Sequence, residues 1–447
     1  MIKGDRIVVL SQLSKGVLKA RLWAVALMAL LLLASVATPS LGLAAQSEDP
    51  VTLSLWMFEG EEQLLPALEA AYEAAHPNVD LVITLIPEDQ YVVKLDTAMA
   101  AGSPPDLGFL YDRRWVKAGK VLPLNDMVTA HKLDLSGFNP AIIEGLCTID
   151  GQLYCLGSYT GAVVLLYNKA MLDAAGLEYP SATEPLTIDE YAELAAALTQ
   201  PNSDITQQVW GASAEAPYWW MNASTMFSDD ARQTLGLVND DATKHTYEVL
   251  GNMIAQGHAP SSSIMQSLGT QSAEDLFRQG KLGMVIGDFS QIAALEEAGI
   301  DYGVAALPVE SEGGATSLPV WTDGLAVFAG SANPEAAMEF LAFLATDGQR
   351  LRVEVTGEPP LDAHVAKELR WVEQGNAAAR QQFLDVIAAS EPGMFVPGFW
   401  DVTSPLSEGF DLIASGEVSA SDMLDDAAPR MQDSLDQAWR TWEEIAP

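Results

Sequence analysis

The chain has 447 residues, of which 61 are acidic and 23 basic, giving a formal charge of −38 at neutral pH, and 49% are apolar. So negative a surface repels nucleic acid and anionic membranes, which excludes both as partners. An apolar fraction near one half, with the acids dispersed, excludes a disordered acidic tail, and the length exceeds one ordinary core and implies two domains.

Residues 1–45 read as a secretory signal peptide. Lys3, Arg6, Lys15, Lys19 and Arg21 give a basic start, Leu22 to Ala37 is nearly all apolar, and Leu43-Ala44-Ala45 offers small residues for cleavage. An exported protein is expected, in the periplasm or at the extracellular face of the cytoplasmic membrane. The alternative is retention as a membrane anchor, for which the apolar run is marginal. No Cys follows it, which rules out lipid attachment at a new N-terminal Cys.

Val51-Thr52-Leu53-Ser54-Leu55-Trp56 alternates as a first strand. The loop Phe58-Glu59-Gly60-Glu61-Glu62 follows, then an amphipathic helix from Leu64 to Ala75 that ends at His76-Pro77-Asn78. A second strand spans Asp80 to Ile86 and a second helix Tyr91 to Ala101. Pro104 and Pro105 fix φ and end that helix. Leu107 to Leu110 then reads as a short buried strand, and Tyr111, Asp112, Arg113, Arg114 and Trp115 crowd its carboxyl end. This β-α-β-α-β order means a parallel sheet covered by helices, with ligands expected beyond the carboxyl ends of its strands. Aromatic faces beside an acid and a guanidinium suit a polyhydroxylated ligand. The alternative is a surface loop whose charges pair with each other and whose Trp115 packs on the core.

Asp150-Gly151, flanked by apolar residues, marks a hairpin that sets Cys147 and Cys155 on facing strands. In an exported protein these two form a disulfide. Ala162 to Tyr167 is a further strand, and Lys169 to Ala175 a helix. Thr187 caps a helix from Ile188 to Thr199. A helix at Ala273 to Gln279 precedes strands at Leu282 to Gly287, Tyr302 to Leu307 and Gly324 to Phe328. Pro334 to Ala345 is helical, and beyond Pro359-Pro360 the chain is mostly helical. Trp371, Trp439 and Trp442 read as packing residues, while Trp210 is open to either role.

Catalytic signals are sparse. The five histidines, His76, His131, His245, His258 and His364, lack metal-ligand spacing. Nucleophile elbow, zinc-protease, phosphate-loop and dinucleotide motifs are all missing, so neither cofactor nor metal is expected. A secreted glycoside hydrolase would use a carboxylate pair, for which Glu59 and Asp112 are the candidates. A cationic ligand such as a polyamine also suits an acidic, aromatic cleft, although Arg113 and Arg114 oppose it.

Five segments carry a resemblance. The first is the strand ending in Trp56 with its helix and His76-Pro77-Asn78-Val79. The second is Pro105-Asp106 through Asp112-Arg113 and Gly119-Lys120-Val121-Leu122-Pro123-Leu124. The third is Asp150-Gly151-Gln152-Leu153-Tyr154 with Leu165-Leu166-Tyr167-Asn168-Lys169. The fourth is Gly280 to Phe289, and the last Asn333-Pro334-Glu335-Ala336-Ala337 with Glu339-Phe340-Leu341. In this order, behind a signal peptide, they resemble the extracellular solute-binding proteins of ABC importers, in particular the family that includes maltodextrin-binding protein.

The resemblance implies an α/β, two-lobe periplasmic-binding-protein (type II) fold with a ligand cleft between interleaved lobes. Lobe 1 would take residues 46–160 and 310–360, and lobe 2 residues 161–309 and 361–447, with crossings near Tyr159–Val163, Leu307–Glu310 and Glu358–Asp362. It also implies a monomer that binds a mono- or oligosaccharide, closes about its hinge, and delivers the sugar to membrane permease subunits. Family contact positions fall on Trp56, Phe58 and Glu59 after the first strand and on Tyr111, Asp112 and Arg113. They continue at Tyr159 and Thr160 in the first crossing, and at Trp219 and Trp220. Asp288 and Phe289, Trp321 and Asp323, and a stacking Trp400 complete the set. Gly161 stands where maltodextrin binders carry a ligand-contacting Glu, and acids replace the Lys of their first loop.

Overall fold

The computed structural model describes residues 50–219, 226–270, 272–289, 292–312, 319–389 and 394–446. The signal segment with its cleavage site, and Trp220, lie outside the described residues.

Strand β1 (Val51–Phe58) buries Leu53, Leu55 and Met57 on one face, as its alternation requires. Helix α1 (Leu65–Ala75) returns the chain to β2 (Val79–Ile86). Helix α2 (Glu88–Ala100) begins three residues before the expected Tyr91. The cause is local: Pro87 precedes it, and Glu88 and Asp89 in the first turn favour the positive end of the helix dipole. Strand β3 (Leu107–Phe109) is fully buried, and a short helix, α3 (Arg114–Lys117), follows.

Strands β4 (Thr148–Ile149) and β5 (Gln152–Leu153) form the hairpin, with positive φ at Asp150 and Gly151. The Cys147–Cys155 disulfide closes it, with Cα atoms 4.8 Å apart. A loop this short contributes about 2–3 kcal/mol through lost chain entropy. Reduction is therefore expected to lower stability by that amount, read from chemical unfolding with and without reductant.

The chain continues through β6 (Gly161–Asn168), α4 (Ile188–Leu198), β7 (Trp210–Ala212), α5 (Asp241–Ala255), β8 (Leu282–Asp288) and β9 (Tyr302–Ala305). Thr187 and Glu190 form a full capping box on α4. Strands β10 (Val320–Trp321) and β11 (Leu325–Val327) lead to α6 (Pro334–Phe343). A π-turn at Leu344–Gly348 joins α6 to α7 (Gln349–Thr356), so the helix is offset where the sequence has it end at Ala345. Helices α8 (Ala377–Ala388), α9 (Phe399–Ala414) and α10 (Ala420–Glu444) complete the described chain.

Two sheets organise these elements. The first has the order β11-β3-β1-β2, with β1 parallel to β2 and β3, and β11 antiparallel. Its core draws on residues 53–156 and 325–361. The second sheet has the order β10-β6-β8-β7, and β9 also pairs with β6. Every residue of β6 is buried, because helices cover both faces of this sheet. Tyr191, Tyr247, Leu406 and Leu424 pack on one side, and Phe277, Trp371 and Phe383 on the other. Trp210, which the sequence left open, is core.

Asp106 staples the first sheet. Its carboxylate accepts from Ser54 N (2.8 Å), Ser54 Oγ (2.7 Å), Ser331 Oγ (2.5 Å) and Asn333 N (3.2 Å). Burial pushes this carboxyl up, but the hydrogen bonds outweigh it and hold it below the ordinary range.

Candidate functional site

The carboxyl end of β3 presents an aromatic step. Phe58 stacks on Phe109 at 4.3 Å and meets the edges of Tyr91 at 4.7 Å and Tyr111 at 5.7 Å. The exposed Tyr111 donates its hydroxyl to Glu88 at 3.5 Å. Burial and the Glu88 carboxylate both push that hydroxyl's pKa up. Glu59 is exposed beside this step, while Trp56 is half-buried against the first core.

In the next residues the loop reading holds in part. Asp112 accepts from Arg114 N at 2.8 Å and Nε at 2.6 Å, so its carboxylate caps its own turn. Trp115 is buried and donates Nε1 to Asp96 at 2.7 Å. Arg113 is different. It donates to the Gly145 carbonyl, lies 4.8 Å over the Phe395 ring, and forms no ion pair among the described residues. Burial pushes its guanidinium pKa down.

Phe395 belongs to the other half of the chain. Its ring lies 4.7 Å from Trp442, which in turn carries Lys117 Nζ at 4.9 Å. Five residues on, Trp400 lies in the first turn of α9 with 59% of its surface exposed, and among the rings of the described residues it meets the Phe399 edge at 5.2 Å. Asp401 lies close enough to Arg114 to help Asp112 raise the pKa of that guanidinium. Arg113 and Arg114 thus lie near Phe395 and Asp401, although nearly three hundred residues separate them in sequence.

The crossings bring together a second group. Tyr159 bridges to Pro360, and Thr160 N donates to the Pro359 carbonyl at 2.9 Å. Thr160 is buried, and its hydroxyl has no partner among the described residues. Gly161 pairs with Trp321, whose indole occupies the space a Cβ at 161 would need. The Glu that maltodextrin binders carry there has no room in this chain.

Two expected ligand residues are corrected. Phe289 is 0% exposed and stacks on Phe383 at 4.2 Å, so its ring belongs to the core. Asp323 is 1% exposed and accepts from Ser158 N (2.5 Å), Ser158 Oγ (2.6 Å) and Arg352 Nη2 (2.9 Å), so it serves the crossing itself. Asp288 ends β8, half-buried, and Trp219 closes a 3-10 turn, Pro217–Trp219. Beyond β7 a groove of about 360 Å³ opens, lined among others by Ser213, Glu215, Tyr218, Glu274, Phe410 and Asp411. Among the described residues no group of His, Cys, Asp and Glu could hold a metal ion.

Sequence reasoning missed Phe395 and Arg352. No local signal marks either, since each earns its place through partners far along the chain.

The model of the bacterial extracellular solute-binding protein family matches residues 59–351. The chain belongs to this family. A binding protein of Brucella abortus (strain 2308) is 27% identical over 379 residues, covering 81% of this chain and 87% of that one. The maltotriose-binding protein of Pyrococcus abyssi is 24% identical over 307 residues, covering 66% of this chain and 62% of that one. Among solved structures, an ABC substrate-binding protein of Listeria monocytogenes in complex with cycloalternan superposes with a TM-score of 0.74 at 20% identity, over 87% of this chain and all of that one. The sugar-binding protein MalE of Xanthomonas citri gives 0.70 at 18% identity, over 88% of this chain and all of that one. The fold is accordingly the two-lobe α/β fold of these solute-binding proteins.

Proposed function

We propose that this solute-binding protein captures a sugar or oligosaccharide outside the cytoplasmic membrane and delivers it to the permease subunits of an ABC importer by hinge closure. It acts as a monomeric binder without chemistry on its ligand. The lobes are taken as 46–160 with 310–360, and 161–309 with 361–447. One observation supports the reading: Arg113, in the loop that carries Tyr111 and Asp112, lies over the Phe395 ring, five residues before the exposed Trp400. Rings cover the C–H faces of a sugar, and the ions take its hydroxyls. The relatives named for maltotriose and galactooligosaccharide support the same class. Trp56, Glu59, Tyr159, Thr160, Asp288, Trp219, Trp220 and Trp321 are further candidates for the cleft.

A thermal-shift screen over mono- and oligosaccharides, with polyamines alongside, tests this reading. A saturating sugar at about 100 times its dissociation constant adds about 2.7 kcal/mol. Stabilisation by polyamines with none by any sugar overturns the proposal in favour of a cationic solute. Trp400→Ala is expected to weaken the identified sugar by about tenfold or more while the melting temperature without ligand stays put, because the exposed ring supports no core. Titration calorimetry checks it, and unchanged affinity removes Trp400 from the cleft.

A further inference from the structure

Aromatic rings attached to the second core receive cations attached to the first. Helix α10 packs on the second core through Leu424, Met431 and Leu435, and then continues to Glu444. Its last stretch carries Trp439 and Trp442, three residues apart and so neighbours on the helix surface. Phe395 reaches them from the segment before α9, next to the buried Val396. Its ring lies 4.7 Å from Trp442 and stands nearly at right angles to Trp439 at 6.3 Å. Trp439 is fixed from its own side: Nε1 donates to the Ala231 carbonyl at 2.6 Å, and Arg232 lies 4.0 Å over the ring. The rings thus make one surface held by the second core.

The cations come from α3 and the residue before it. Trp115 and Val116 of this helix are buried in the first core. Arg113 lies 4.8 Å over Phe395, and Lys117, the last residue of α3, holds Nζ 4.9 Å over Trp442. Both distances are within the reach of a cation–π attraction. Neither side chain forms an ion pair among the described residues, in a chain where acids outnumber bases 61 to 23. Arg114, between them, takes its own Asp112 and also feels Asp401 of α9.

The choice of rings over carboxylates has a physical consequence. A ring attracts a cation without needing a second buried charge, so parting the two surfaces strands no ion. Each contact is weak, and two side by side make a junction that can form and break as the cores move.

We propose that Phe395, Trp439 and Trp442 form a clasp that grips Arg113 and Lys117 across the two cores and favours the closed form of the molecule, so that part of the tendency to close is built into the chain. This rests on the reading of the two cores as hinged lobes, and not on the identity of the solute. A clasp that raises the population of the closed, binding-competent form raises the apparent affinity for solute by the same factor.

Small-angle scattering of the mature chain without added solute tests it. Trp442→Ala removes a ring and Lys117→Gln a charge, and neither residue is placed in the solute site. Both are expected to enlarge the radius of gyration relative to the parent, with far-ultraviolet circular dichroism unchanged. Lys117→Arg, which keeps the cation, should follow the parent, as should Lys120→Gln at an exposed position nearby. Equal radii for the parent, Trp442→Ala and Lys117→Gln overturn the proposal, as does an enlargement in Lys117→Gln that Lys117→Arg shares. Should Trp442→Ala fail to fold, the Lys117 variants decide alone. Titration of the opened variants with the solute identified above is expected to show binding about fivefold weaker than the parent's. The scattering needs no sugar, so failure of the carbohydrate reading leaves it interpretable. A parent that contracts on binding solute, with variants that match it before binding, keeps the hinge and refutes the clasp alone.

Discussion

Arg352→Met is expected to lower the unfolding free energy by about 3–5 kcal/mol, the range found when one partner of a buried ion group is removed. The methionine replaces the aliphatic stem but supplies no donor. Asp323, at 1% exposure, keeps its Ser158 bonds and loses its counter-charge. Glu61 and Glu358 face it with nothing to offset their mutual repulsion. Tyr159 loses the cation over its ring. The deficit should be greatest at neutral pH and shrink on acidification, because Glu61, whose carboxyl pKa burial pushes up, no longer repels its neighbours once protonated. Urea unfolding at neutral and mildly acidic pH checks this. A loss below about 1 kcal/mol at neutral pH would mean that water reaches the group and screens it.

Asp106→Ala is the second large effect, expected at about 3 kcal/mol or more. The substitution leaves four donors of the first sheet without their acceptor: Ser54 N and Oγ, Ser331 Oγ and Asn333 N. A buried donor deprived of its partner costs about 1–3 kcal/mol, and the two hydroxyls can turn elsewhere, which keeps the total below a simple sum. The pH dependence has a definite sign. The folded carboxyl titrates below its unfolded value, so its contribution is complete above the ordinary Asp range and is lost as pH falls through the depressed folded value. Asp106→Asn, which keeps the volume, should lose most of the same stability and flatten the acid limb of the curve. An unaltered acid limb in Asp106→Asn would show that other carboxylates govern acid unfolding. Asp106 stands in the Pro105-Asp106 segment that carries the family resemblance, yet its role is to bind β1 to the chain after β11, not to touch solute.

Asp112 has a partner within its own turn: Arg114, two residues on, reaches its carboxylate at low entropic cost. Arg113, which forms no ion pair among the described residues, turns instead across to Phe395. Trp115 obeys a simpler rule, burying its ring and finding one acceptor for its indole nitrogen.

What the sequence determined by itself is whatever acts over a few residues. The alternation of Val51 to Trp56 sets which face of β1 is buried. Thr187 and Glu190 start α4 by exchanging hydrogen bonds three residues apart. Asp150 and Gly151 accept positive φ and bring Cys147 to Cys155. Each depends on neighbours that any conformation of the chain keeps close. The resemblance carried in Pro105 to Leu124 and Gly280 to Phe289 added the family. Tertiary structure alone decided which chemistry-bearing side chains are enclosed and which stay open to solvent. Phe289 and Trp400 are both aromatic residues at element ends, yet one is enclosed by Phe383 and Trp371 and the other is open to solvent. Gly161 gains meaning only from the Trp321 indole opposite it, and Arg352 only from carboxylates 291, 29 and 6 positions away. Such partners meet only once two interleaved lobes have closed long loops, and no pattern along the chain records which of many acids will reach a given guanidinium.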